Sequence, residues 1–154
     1  DIADEVVRRP EEFDAIALML IANAFSHFRL RPPRLWGTLA DWLLVSYVDL
    51  SAKDVGVVLN ALSSVGFHHD ALIRTLAVSL CHEPLLGQLE PSVLCVVLNA
   101  LARLQWAGAG HEDVFAVLAD RVVRYLGEFE GRQVTQLLHA CTRLKPLVGH
   151  EMLL

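Results

Sequence analysis

The six residues VVLNAL occur twice in this chain, at Val57–Leu62 and again at Val96–Leu101. An asparagine inside an apolar run that recurs at this separation indicates a repeated supersecondary unit. Two weaker copies extend the series, LIANAFSHF at 20–28 and QLLHACTRL at 136–144. The spacings of 37, 39 and 40 residues are typical of two-helix solenoid repeats, and they separate the four anchor positions Asn23, Asn60, Asn99 and His139.

Apolar residues keep a constant register around each anchor. They stand five, two and one residues before it and two and five residues after it. This spacing forms one stripe of an α-helix, which we name helix A of each unit. The predicted core columns are Leu18, Val55, Leu94 and Val134; Ile21, Val58, Val97 and Leu137; Ala22, Leu59, Leu98 and Leu138; Phe25, Leu62, Leu101 and Cys141; and Phe28, Val65, Leu104 and Leu144.

Capping and breaking residues predict the helix boundaries. Ser51 followed by Asp54 resembles a capping box, and Pro91 suits a first helical position. Gly66 and the prolines after Leu30 interrupt the helical pattern. A second helix, helix B, is predicted in each unit at PRLWGTLADWLLVSYV (33–48), HDALIRTLAVSL (69–80) and HEDVFAVLADRVVRYL (111–126), with VGHEMLL (148–154) as a truncated fourth.

The predicted fold is therefore all-α, an α-solenoid of about three and a half antiparallel two-helix units in one segment. Residues 1–10 are expected to be the tail of a preceding helix, followed by units at 11–49, 50–88 and 89–128 and a partial unit at 129–154. Terminal units of a solenoid normally have a polar outer face. The apolar stretch Met152–Leu154 thus indicates either part of a longer array, which we favour, or an end that packs on a partner.

Composition excludes several classes of protein. The hydrophobic share of 54% and mean hydropathy of +0.42 are high, but polar residues cut the apolar windows too short for a membrane span. A net charge of −5 argues against the uniformly basic surface of an autonomous nucleic-acid binder. Cys81, Cys95 and Cys141 form no CxxC pair and are predicted to be buried thiols in a reducing compartment.

No catalytic pattern is present in the sequence. We find no glycine-rich phosphate loop, no HExxH and no GxSxG. The densest polar cluster is His68, His69 and Asp70, where Asp70 is expected to serve the start of helix B and the histidines to lie in a surface loop. We therefore predict a non-enzymatic protein without cofactor, metal or small-molecule substrate.

The anchor column allows two interpretations. In the first, each asparagine hydrogen-bonds the neighbouring unit and fixes its register, and the basic residues form a solvated face or pair with a partner's acids. In the second, stacked units align polar and basic residues into a ladder along a concave groove for single-stranded RNA. The candidate contacts with RNA or a partner are Asn60, Asn99, His139, Arg103, Arg143, Arg132 and Lys145, together with Arg29, Arg31 and Arg34 at a loop end beside the predicted core residue Trp36.

The period, the two helices per unit and the cores VVLNALARL and QLLHACTRL resemble the heptatricopeptide and octotricopeptide repeat proteins of organelles. The resemblance is closest to the heptatricopeptide arrays found with RAP domains in apicomplexan mitochondria, and it covers the chain from about Phe13 onward. It implies a mitochondrial location and a role in organellar ribonucleoproteins. It also implies RNA-facing positions at Asn60, Asn99, His139, Arg103 and Arg143.

Two hypotheses follow. The first is a scaffold in a mitochondrial ribonucleoprotein, a component of the mitochondrial ribosome that binds other protein subunits and makes limited contact with rRNA through helix A. The acidic net charge and the lack of a RAP domain in this sequence favour limited contact over sequence-specific recognition. The alternative is a HEAT-like adaptor that binds proteins only. Binding that weakens steeply with salt distinguishes the first from the second.

Overall fold

The computed structural model describes residues 1–144, which contain α-helices, short 3₁₀ turns and no strand. Lys145 and the predicted fourth helix B at 148–154 lie outside the described residues. The 3₁₀ turns are Pro10–Glu12, Tyr47–Asp49 and Leu86–Gln88. The helices are α1 (Ile2–Arg8), α2 (Ala15–His27), α3 (Pro33–Ser46), α4 (Ala52–Val65), α5 (Asp70–Ser79), α6 (Pro91–Leu104), α7 (His111–Arg124) and α8 (Gly131–Leu144).

The helices form two layers. Helices α2, α4, α6 and α8 pack side by side in chain order, and each carries one anchor residue of the repeat. Helices α1, α3, α5 and α7 pack in the same way in the second layer. We call these the A layer and the B layer. The all-α fold of stacked antiparallel helix pairs, predicted from the sequence period, is confirmed.

The predicted helix starts are confirmed at α4 and α6. Ser51 accepts a hydrogen bond from the N–H of Asp54 at 3.2 Å, and the Asp54 carboxylate accepts from the N–H of Ser51 at 3.0 Å. This reciprocal pair is a capping box, which satisfies two backbone donors at the open end of the helix. Pro91 occupies the first turn of α6, where its missing N–H has no intrahelical partner to lose.

Helices α2, α4 and α6 are also terminated alike, by a residue that stands six positions after each anchor. The residue there is left-handed, with φ of 54° at Arg29, 68° at Gly66 and 50° at Gln105. The next N–H bonds to the carbonyl five residues earlier, which together with the left-handed residue makes a Schellman motif. These bonds join Leu30 to Phe25 at 2.9 Å, Phe67 to Leu62 at 3.0 Å and Trp106 to Leu101 at 3.2 Å. The repeat thus extends to backbone conformation.

Most of the predicted core columns are buried or half-buried, but four positions at the two ends of the A layer are exposed. Phe28, the residue after α2, is 72% exposed, and its ring lies edge-on to that of His27. Val134, Leu138 and Cys141 are exposed because α8 packs on an A-layer neighbour, α6, on one side only among residues 1–144. Leu138 is 64% exposed, whereas the equivalent Leu59 of α4 is fully buried.

The prediction of three buried thiols is correct for Cys95 alone. Cys81 is half-buried, and Cys141 is exposed on the open side of α8. None of the described helices combines the length and hydropathy needed to cross a bilayer.

Candidate nucleic-acid interface

The outer face of the A layer is built from four columns of residues. They stand seven and three residues before the anchor, at the anchor, and four residues after it, a spacing that places them on one side of each helix. All sixteen side chains are exposed or half-buried. We call this surface the A face, and it comprises Ile16, Leu20, Asn23 and His27; Lys53, Val57, Asn60 and Ser64; Ser92, Val96, Asn99 and Arg103; and Arg132, Gln136, His139 and Arg143.

The A face has a charge opposite to that of the whole chain. It carries four cationic side chains, Lys53, Arg103, Arg132 and Arg143, and no carboxylate, while the rest of the sequence holds nine Lys and Arg and all eighteen Asp and Glu. The side-chain ion pairs among residues 1–144 all lie elsewhere: Glu5 with Arg8 and Arg9, Glu12 with Arg9, Asp41 with His69, and Asp120 with Arg124. The four A-face cations therefore lack a protein counter-ion in the described part of the chain.

The cations are concentrated towards α8. The α2 row exposes Ile16 and Leu20, α4 and α6 each add one cation, and α8 carries Arg132 and Arg143. An exposed, unpaired guanidinium is a strong donor to phosphate oxygens. The arrangement provides a row of anion-binding groups that crosses three adjacent helices.

The anchor amides do not join neighbouring units. Asn60 and Asn99 are half-buried and Asn23 is exposed. Within residues 1–144 their side chains make no hydrogen bond, and the bonds at these residues run from serine hydroxyls to the carbonyl oxygens of Asn23 and Asn60. The interpretation of the asparagines as register-fixing bonds is therefore not supported. Their amides, and the exposed His139, present donors and acceptors to solvent on the A face.

The loop-end arginines form a separate basic group. Arg29, Arg31 and Arg34 are all exposed around the connection from α2 to α3, and α4 lies between that connection and Arg103 of α6. Trp36 beside them is buried, as predicted, and its indole N–H donates to the carbonyl oxygen of Leu30 at 3.0 Å. The remaining candidate, Lys145, lies outside the described residues.

One residue of the histidine cluster, the second histidine, has a structural role. His69, not Asp70, caps α5: its Nδ1 accepts from the N–H of Leu72 at 3.1 Å, while its Nε2 lies 3.3 Å from Oδ1 of Asp41. Asp70 is the first helical residue. No group of three or more metal-ligand side chains converges within residues 1–144.

The thiols lack the features of a nucleophile. Burial raises the pKa of the Cys81 and Cys95 thiols, and the nearby charge of Asp113 raises that of Cys81 further. Activated cysteines have the opposite shift, because a positive environment favours their thiolate.

Sequence reasoning missed a groove between α4 and α6 on the A face. It encloses about 420 Å³ and is bordered by Lys53 and Val57 of α4 and by Ser92 and Val96 of α6. Its floor includes Gly56, four residues before the anchor. The signal in the sequence was a glycine in the middle of a helix that otherwise follows the repeat.

The sequence matches one protein family over residues 1–144, that of RESC6, the RNA-editing substrate-binding complex 6 protein. A comparison with curated proteins finds no match. Because the family match spans every residue that the structure describes, the chain belongs to the RESC6 family, helical proteins of a kinetoplastid mitochondrial RNA-editing complex.

Family membership decides several of the predictions. The chain is a non-catalytic component of an RNA–protein assembly in the mitochondrion, with other subunits of that complex and RNA as its partners. The mitochondrial location is confirmed. The assembly is an RNA-editing complex, so the prediction of a mitochondrial ribosome component is not supported. The family is kinetoplastid, whereas the repeat resembled apicomplexan arrays.

Proposed function

We propose that this RESC6-family chain is a helical-repeat scaffold that holds RNA of the editing complex along its A face and packs on other proteins through the open side of α8. The observation that carries the RNA part is the charge of the A face. The A face carries no carboxylate and four cations that lack an ion-pair partner within residues 1–144, in a chain whose net charge is −5. Such a separation concentrates anion attraction on a single face.

The residues of the A face divide into two roles. Arg103, Arg132 and Arg143 are suited to phosphate oxygens, because each guanidinium is exposed and always charged. Asn60, Asn99 and His139 are suited to base edges, because their polar groups reach solvent along the same line. Lys145 is a further candidate from the sequence, and the exposed Arg29, Arg31 and Arg34 lie apart from the A face as a separate candidate contact with a partner protein.

The RNA contact is limited in extent. Four cations on the A face can neutralise only a few phosphates, and the acidic remainder of the chain repels the rest of the strand. The scaffold therefore depends on other subunits for most of the affinity. In this respect the chain differs from a protein that binds a specific RNA sequence on its own.

The protein contact follows from the repeated interface of the A layer. Cys95 of α6 faces α8, and its Sγ lies 3.8 Å from the carbonyl oxygen of Gln133. Leu138 and Thr142 occupy the corresponding stripe of α8 and are exposed. Because this stripe continues the packing surface already used by α2, α4 and α6, we propose that a helix of another protein subunit packs there.

The type and extent of the repeat are part of the same proposal. The period and the helix A cores support heptatricopeptide-like units, with boundaries at 11–49, 50–88, 89–128 and 129–154.

The experiment separates the two surfaces in the full-length protein. Tagged protein is purified from mitochondria, and bound RNA and bound subunits are quantified. We expect the double variant Arg103→Glu, Arg143→Glu to lose RNA and retain subunits, and Leu138→Asp to lose subunits. Since Leu138 is already exposed, its replacement leaves the fold of the chain intact.

The control is Arg124→Glu, a charge reversal on α7 in the B layer, where Arg124 pairs with Asp120. It should retain both RNA and subunits. Retention of RNA by the Arg103→Glu, Arg143→Glu variant at the level of this control would contradict the RNA part of the proposal. That result would favour the adaptor that binds proteins only.

A further inference from the structure

The groove between α4 and α6 is lined by a residue without a side chain, Gly56. A glycine in the interior of a helix destabilises it relative to alanine. A Cβ on Gly56 would lie 3.6 Å from Cγ2 of Val97, 3.7 Å from Cγ1 of Val96 and 3.9 Å from Cγ1 of Val93, which are ordinary contact distances. Packing of α4 on α6 therefore accommodates an alanine, and close approach of the helices does not explain the glycine.

The equivalent positions of the other A helices carry side chains. They are Met19 in α2, Cys95 in α6 and Thr135 in α8. Met19 and Cys95 are buried, and Cys95 reaches the backbone of α8. The missing side chain is thus specific to α4 and is not a property of the repeat.

The chemistry of the groove suits a planar, partly polar ligand. Its walls are the aliphatic side chains of Val57, Val93 and Val96. Its rim is polar: Lys53 is unpaired within residues 1–144, and the Glu90 carboxylate makes no capping bond at the start of α6. Gln88 accepts from the N–H of Ala52 at 2.9 Å through Oε1, which leaves its amide N–H groups as donors.

We propose that this groove binds a single nucleobase of the RNA that lies on the A face. One face of the ring lies on Val57 and Val96 at the surface of the groove, Gln88 and Glu90 offer a donor and an acceptor to its edge, and Lys53 contacts the adjoining phosphate. Apolar contact with a base face binds any base, which fits a scaffold with limited sequence preference. The inference rests on the proposed RNA contact of the A face and adds a defined point of attachment.

The test fills the groove without touching a charge. The full-length protein carries Gly56→Ala or Gly56→Met, the latter matching the residue found at the equivalent position of α2. The control is Gly37→Met in α3, where no neighbouring atom lies within 4 Å of the position that a Cβ would occupy. Binding is measured by fluorescence anisotropy with a labelled single-stranded RNA and with an abasic strand of the same length, over a range of salt concentrations.

We expect Gly56→Met to weaken binding of the RNA about tenfold and Gly56→Ala about threefold, because a lost base contact is comparable with a lost stacking contact. Affinity for the abasic strand and the salt dependence should not change, and Gly37→Met should behave like the unmodified protein. Gly56→Ala should also raise the thermal unfolding midpoint, which establishes that this variant folds. If Gly56→Met does not fold, the RNA affinity of Gly56→Ala alone tests the nucleobase site.

Several outcomes would overturn the nucleobase site. Unchanged RNA affinity in Gly56→Ala and Gly56→Met would do so, and so would equal weakening for the abasic strand. Weakened binding of a protein subunit with unchanged RNA binding would assign the groove to a peptide instead. If RNA binding by the variants still weakens steeply with salt, the proposed RNA contact of the A face stands. If RNA binding by the unmodified protein does not weaken with salt, that contact is contradicted directly.

Discussion

Replacement of Arg103 and Arg143 by alanine should halve the salt dependence of RNA binding. If the four A-face cations each neutralise one phosphate of a single strand, the slope of log K against log salt is about −2.8. Affinity then falls about 50-fold between about 50 and 200 mM salt. The double variant retains Lys53 and Arg132, so its slope should be about −1.4 and its loss over the same range about sevenfold.

The measurement is fluorescence anisotropy of a labelled single-stranded RNA with the full-length protein. The matched control is Arg8→Ala, Arg124→Ala, which removes two arginines from the B layer that are paired with Glu5 and Asp120. The control should keep the slope of the unmodified protein. An unchanged slope in the A-face variant, or an equal decrease in both variants, would refute the assignment of these cations to phosphate contact.

The repeated helix ends and the thiols provide further predictions. Gly66→Ala should lower the free energy of unfolding in urea by about 1 kcal/mol, because Gly66 has a φ of 68° and alanine is strained in this left-handed conformation. Gln105→Gly should raise the free energy of unfolding by about 0.5 kcal/mol for the same reason. Equal effects at the two sites would contradict the left-handed helix ends. Ser51→Ala should cost about 1 kcal/mol by removing the capping box at α4, and no loss would show that the box is not formed in solution. Burial raises the pKa of the Cys95 thiol, so its alkylation should be slow and should speed up as the pH rises, with the exposed Cys141 modified first. The reverse order on peptide mapping would contradict the open side of α8.

The sequence period was sufficient to predict the helices and the fold class. A spacing of 37 to 40 residues with five apolar positions per row predicted α2, α4, α6 and α8, and Ser51 and Pro91 predicted two of their starts. These signals are local, because capping and amphipathicity depend on neighbours along the chain. They do not depend on what the helices pack against.

The errors concern features that depend on distant neighbours. Leu138 belongs to a core column, but a column cannot show whether a further helix is present to bury it. Asn60 and Asn99 are amides in an apolar run, yet no partner lies within hydrogen-bonding distance in the described chain. Either His69 or Asp70 has the chemistry to cap α5, and only the position of the first helical turn selects His69.

The candidate site was predictable by residue type but not as a surface. Arg103 and Arg143 were identified from their place one turn after the anchor, while the absence of carboxylates from the whole A face required the layers to be known. The groove at Gly56 depends on three valine side chains of α6 that lie far from it in sequence. Family membership, rather than any residue pattern, identified the assembly as an RNA-editing complex.

Ultraviolet crosslinking of the full-length protein to RNA within the editing complex tests most directly whether the A face carries the RNA. Crosslinked peptides are identified by mass spectrometry and assigned to helices. The account predicts adducts on the A-face residues of α4, α6 and α8 and none on α3, α5 or α7. Adducts confined to the B layer, or none on this chain while neighbouring subunits are crosslinked, would contradict it.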